Sequence, residues 1–184
     1  MSRQPRLRPE DLDADQTTLY RAIADGPRSQ GPQAFALTDA DLQLQGPFGG
    51  FLLSPAIGAA LAEVGVAVRY RSQLPNRLRE LAILVVAASR DSAFERAAHE
   101  AVGRTCGITE AELITIRDGG LPQLDDPVEL AGLRLTSALT MGDVDDEIWE
   151  QCVPPLTERD VFELIVLVGY YSTLALQMRV LRVE

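Results

Sequence analysis

Apolar residues recur at three and four positions along most of this chain, and β-branched residues rarely alternate with polar ones. A period near 3.6 lines one stripe of a helix, whereas a half-buried strand needs a period of two. The sequence is therefore read as all-α. At 184 residues it is long enough to bury a substantial core, and it is taken as one domain over residues 1–184 with an N-terminal helical extension over 1–30.

Start and stop signals divide this periodicity into elements. A first helix is expected from Pro9 through Leu12, Leu19 and Ile23 to the Gly26-Pro27 pair. Residues 27–53 read as an ordered loop ending in Gly46-Pro47-Phe48-Gly49-Gly50-Phe51. Ser54 and Pro55 open a helix to Arg71 whose inner face is marked by Ile57, Leu61, Val64 and Val68. Residues 76–89 and 92–106 form a helical hairpin turning at Ser89-Arg90-Asp91, and Gly107 stops its second arm. Thr109 with Glu112 makes a capping box. Asp126-Pro127 starts a helix closed by Gly142, a short helix follows over 143–153, and Thr157 with Asp160 opens the last one. That last helix is apolar on every side between Val161 and Leu176, which a small chain encloses most easily against a second subunit. Its apolar run, Leu164 to Leu176, is shorter than the roughly 20 residues that span a bilayer. It is expected to be a buried helix, and no membrane partner is expected.

Composition narrows the chemistry. Seventeen basic against twenty-seven acidic residues leave a net charge of −10, which repels nucleic acid. Every basic residue is Arg, so no lysine amine is present to form a Schiff base. One histidine, His99, and two cysteines, Cys106 and Cys152, cannot supply a zinc finger or a three-histidine metal site. No metal and no organic cofactor are expected. The first twenty residues contain no apolar run of the secretory type, and the protein is read as cytoplasmic.

Glu95 and His99 are four apart, so on one helix a carboxylate can hold an imidazole nitrogen. The same spacing is common in ion pairs on solvated helices. Antiparallel pairing alone does not select Glu80 on the preceding helix as a third member. Arg69, Arg71, Arg77 and Arg79 cluster just before the site, and Arg77 with Arg79 is the preferred dock for an anionic substrate. Ordinary surface or intersubunit ion pairs are the alternative reading of these arginines. Phe48 and Phe94 are candidate pocket walls, with a place in the core as the alternative.

The stretch Leu74-Pro75-x-Arg77-x-Arg79-Glu80-Leu81-Ala82-Ile83-Leu84, then Phe94-Glu95-x-x-x-His99 and Gly107, resembles the carboxymuconolactone decarboxylase family. Gly46-Pro47-Phe48 and Leu53-Ser54-Pro55 upstream, and Leu167-Val168-Gly169-Tyr170-Tyr171 downstream, extend the resemblance over about residues 30–180. The redox branch of this superfamily, similar to alkylhydroperoxidase D, carries a Cys-x-x-Cys pair where this chain has Ser92 and Glu95. Thiol peroxidase activity is therefore not expected.

The resemblance implies an alkylhydroperoxidase D-like helical fold in a homo-oligomer, a trimer or hexamer. It further implies a cofactor-independent acid/base enzyme, a decarboxylase, other lyase or isomerase, acting on a small carboxylated, conjugated organic acid such as a carboxylated lactone. On that reading His99 is the proton donor, Glu95 orients it and Glu80 supports the pair or relays protons. A noncatalytic ligand-binding or scaffold protein of the same fold is the alternative.

Overall fold

The computed structural model describes residues 2–26, 29 and 35–183. Among these residues there is no strand, only an isolated bridge between Thr38 and Leu44, and the all-α expectation holds. The chain divides into two compact units, Met1–Arg71 with Leu176–Glu184, and Ser72–Ala175.

In the first unit, Pro9–Asp11 is a single 3-10 turn, and α1 (Ala14–Ala24) begins later than the expected start near Pro9. The reason is a reciprocal cap: Asp13 accepts from the Gln16 amide while the Gln16 side chain accepts from the Asp13 amide. The stop expected at Gly26-Pro27 includes Pro27, which lies outside the described residues, as do parts of the 27–53 loop. Within that loop Phe48–Phe51 forms a short helix, α2.

The next helix, α3 (Pro55–Val66), runs into a π-helical turn over Ala67–Arg71. Ser54 occupies its N-cap position, but the hydroxyl makes no capping bond. Of the expected inner face, Val68 is buried and Leu61 half-buried, but Ile57 and Val64 are exposed while Gly58, Gly65 and Val66 are buried in their place. A Cβ on Gly58 would lie 2.3 Å from the Phe51 carbonyl oxygen. Close approach of backbones puts the small residues inside and turns larger apolar ones outward, which hydrophobicity alone does not reveal.

The second unit holds the helices around the candidate site. Here α4 (Asn76–Ser89) packs against α5 (Ala93–Thr105), α6 (Glu110–Arg117) and α7 (Pro127–Met141), and α7 packs against α8 (Asp146–Cys152). Leu81, Leu84, Val85, Ile108, Leu113, Ile116 and Leu133 form the core between them. Every residue from Glu80 to Ala87 is buried, so α4 is enclosed on all sides.

The hairpin turn is built by Asp91 in the left-handed region, φ 50°. The Ser92 amide reaches the Ala87 carbonyl and the Asp91 amide the Ala88 carbonyl, at 2.9 and 3.1 Å. This is the double bond pattern that ends a helix sharply, and Asp tolerates its backbone better than most non-glycine residues. The expected boundaries at 76–89, Gly107, Thr109, Pro127 and Gly142 agree with the structure to within a residue.

The last helix, α9 (Glu158–Leu181), starts at the reciprocal Thr157–Asp160 cap and is 24 residues long. By length and composition it can cross a membrane, unlike the shorter apolar run expected from sequence, but half of its most apolar window is buried in the protein. Leu164, Leu167 and Leu174 face the interior, and Glu163 accepts hydrogen bonds from the Ser72 hydroxyl and the Gln73 amide. Phe162 and Ile165 stay exposed on the same helix.

Candidate active site

The full enclosure of α4 forces Glu80 into the interior, where it is 1% exposed. A carboxylate taken out of water needs partners. The hairpin supplies one, because Glu80 and His99 stand nearly equidistant from the turn at Arg90 and so face each other across α4 and α5. His99 Nδ1 lies 2.7 Å from Glu80 Oε2, and His99 Nε2 lies 3.4 Å from Glu95 Oε2. The ring is 3% exposed and Glu95 4%. Tyr171 of α9 packs perpendicular to the imidazole with centroids 5.2 Å apart, and Tyr170 packs in the same way on Tyr171.

The structure thus brings together all three residues read as catalytic, in a different hierarchy from the one expected. Glu80, expected to support the pair, makes the short contact, and Glu95, expected to orient the ring, makes the longer one. The periodicity within α5 revealed Glu95. The nearly equal spacing of Glu80 and His99 about the turn is compatible with their pairing but does not by itself select it.

Both ring nitrogens face carboxylates, an arrangement matched by the doubly protonated imidazolium, which donates from each nitrogen. Burial opposes charging the ring, but hydrogen bonds to Glu80 and Glu95, reinforced by their charges, outweigh it and raise the His99 pKa above its ordinary 6.5. Below about pH 6.5 the folded and unfolded states both carry the proton, so the carboxylate contacts stabilise the fold in full. As pH rises through the folded pKa that contribution is lost. Proton NMR of the single histidine is expected to give a titration midpoint above 6.5, with urea stability falling on the alkaline side. A midpoint at or below 6.5 would remove the imidazolium from the resting site.

The arginines divide. Arg77 is paired with Glu112 and Glu129 and its Nε reaches the Gly107 carbonyl at 3.4 Å, so it ties α4 to α6, α7 and the α5 stop. This is the ordinary ion-pair alternative, and it engages the Arg77 half of the expected anion dock. Arg79 remains beside the cluster: its Nε is 3.8 Å from Glu80 Oε1, and its terminal nitrogen donates to Asn76 at 3.0 Å. Phe94 is half-buried at the start of α5. Phe48 belongs to the first unit, buried between Phe35 and Phe51 in an aromatic cluster that fits the core alternative.

Neither cysteine rebuilds a dithiol. Cys106 caps α5, whereas Cys152 is fully buried in α8, where burial pushes its thiol up. Among the described residues no group of three or more His, Cys, Asp or Glu side chains is arranged to hold a metal ion.

Residues 55–138 match the sequence profile of the Carboxymuconolactone decarboxylase family. The matched segment contains Glu80, Glu95 and His99 and has no Cys-x-x-Cys pair, a pattern consistent with a non-redox branch of that family. The profile covers a shorter span than the 30–180 expected from the motifs. No curated protein matches the sequence. Among solved structures the chain is similar to the debrominase Bmp8, crystallised as a cysteine-to-alanine variant in complex with 2,3,4-tribromopyrrole. The two share 10% identity over 98% of this chain and 90% of the other, with a TM-score of 0.73. The fold is accordingly the alkylhydroperoxidase D-like helical fold.

Proposed function

We propose that the protein is a cofactor-independent acid/base enzyme that moves a proton on a small organic substrate bearing a conjugated carbonyl. The observation that carries this reading is a buried imidazole gripped by two carboxylates, 2.7 and 3.4 Å away, in a segment of this family. His99 gives the proton to a carbanion stabilised by the substrate's own carbonyl, and Glu80 and Glu95 keep the ring charged and oriented until transfer. Loss of carbon dioxide generates such a carbanion as the C–C bond breaks, and double-bond migration generates it when the neutral form of the His99 ring first takes a proton from carbon and then returns it at the new position, so decarboxylase and isomerase chemistries share the machinery. Exposed Phe162 and Ile165 on α9 support the accompanying expectation of a homo-oligomer.

The test is deuterium wash-in at carbon, together with carbon dioxide release, followed by NMR over a panel of unsaturated lactones and keto acids with and without carboxyl groups. Enzyme-dependent exchange or release is expected, falling by about 10²–10⁴-fold in His99→Gln. No reaction above buffer across the panel, or full activity in His99→Gln, would overturn the reading.

A further inference from the structure

The hydrogen-bond inventory of the buried cluster leaves one acceptor, Glu95 Oε1, and one donor, Arg79 Nε, open. Glu80 Oε2 faces His99 Nδ1, Glu80 Oε1 lies near Arg79 Nε, and Glu95 Oε2 faces His99 Nε2. Glu95 Oε1 is sealed from solvent and finds no donor among the described residues. A charged oxygen without a donor is costly in the interior, so such groups are rare in folded proteins unless another molecule completes them.

The charges argue the chemical class of that molecule. Two carboxylates stand against one imidazolium and the Arg79 guanidinium, so the cluster is already balanced. The other nearby arginine of α4, Arg77, is held by Glu112 and Glu129. A substrate carboxylate placed at Glu95 would be a third anion in a buried group with no cation to match it, and like charges at that distance repel strongly away from water. A neutral O–H or N–H donor instead completes Glu95 Oε1 and leaves the balance unchanged.

We propose that Glu95 Oε1 is the substrate-recognition point of this site and selects a small neutral molecule that presents a hydroxyl, enol or amide N–H donor, in preference to a carboxylate. This rests on the acid/base reading above and, within it, favours double-bond migration in a neutral substrate over decarboxylation. The donor hydrogen bond to Oε1 holds the substrate beside Glu95, whose other oxygen faces the His99 ring that moves the proton.

Three probes of similar shape separate the possibilities: phenol, a neutral donor; anisole, which lacks the donor; and benzoate, the anion. Each is titrated into the full chain near pH 7 while the ring signals of the single histidine are followed by NMR. Phenol is expected to shift those signals and to bind at least tenfold more tightly than anisole or benzoate, and Glu95→Met is expected to weaken phenol by about tenfold or more. Glu95→Gln, which keeps shape and a carbonyl acceptor but loses the charge, serves if the methionine variant fails to fold, and is expected to show a smaller loss. Benzoate binding as tightly as phenol and weakened by Arg79→Leu would overturn the proposal and favour a carboxylated substrate. Equal binding of anisole, an unchanged phenol affinity in the Glu95 variants, or no response to phenol would also overturn it. Loss of the acid/base reading has a separate signature, which is full exchange activity in His99→Gln.

Discussion

Glu80→Ala is expected to lower unfolding stability by about 3–5 kcal/mol, read from urea denaturation, because it removes one member of a buried charged pair and leaves the other. Glu80 and His99 are 1% and 3% exposed and meet at 2.7 Å, so the imidazolium has no route to water when its partner is cut away. The ring responds by giving up its proton. With Glu80 gone, burial still opposes the charge while the nearer supporting carboxylate is missing, so the His99 pKa falls relative to the parent. Replacing the whole charged group, Glu80→Leu and His99→Leu together with Glu95→Met, should recover much of the loss, since apolar residues of similar size often do as well as buried ion pairs. A single-variant loss below about 1 kcal/mol would mean that the pair does not hold the hairpin together.

Arg77→Met should cost about 3 kcal/mol, the low end for breaking a charged network that is mostly buried. The Arg77 side chain is 24% exposed, and those of Glu112 and Glu129 are 14% each. Methionine replaces the aliphatic stem but leaves two carboxylates close together without their shared cation. Burial pushes the Glu112 carboxyl up, but hydrogen bonds from Thr109 and Arg77 overcome that and hold it below the usual carboxylate range. A depressed folded pKa stabilises the protein above the unfolded value and ceases to do so as pH falls through the folded one. The penalty of Arg77→Met is therefore expected to be largest near neutral pH and to shrink below about pH 4.5. Adding Glu112→Gln and Glu129→Gln should restore part of the stability. A pH-independent penalty would show that Arg77 acts by packing alone.

The readable and unreadable features differ in the distance over which their causes act. Thr109–Glu112, Asp126-Pro127, Gly142 and the Thr157–Asp160 cap announce helix ends because each works through bonds three or four residues long. Glu95 and His99 were visible for the same reason. Ile57 and Val64 lie outside the α3 inner face because Gly58 is selected there by backbone approach, which leaves no trace in hydrophobicity. The start of α1 shifted because the Asp13–Gln16 cap competes with Pro9 and wins by satisfying two amides at once.

By itself the amino-acid order determined the helical class, most boundaries, the absence of lysine chemistry and of a Cys-x-x-Cys pair, and the placement of Glu95 one turn before His99. Only the tertiary structure decided that Glu80, 19 residues from His99, is its closer partner, and that Arg77 pairs with Glu112 and Glu129, 35 and 52 residues away. Helix formation is governed by neighbours within a turn, whereas the partner of a buried charge is chosen by which helices pack and by the cost of leaving that charge without a counterpart.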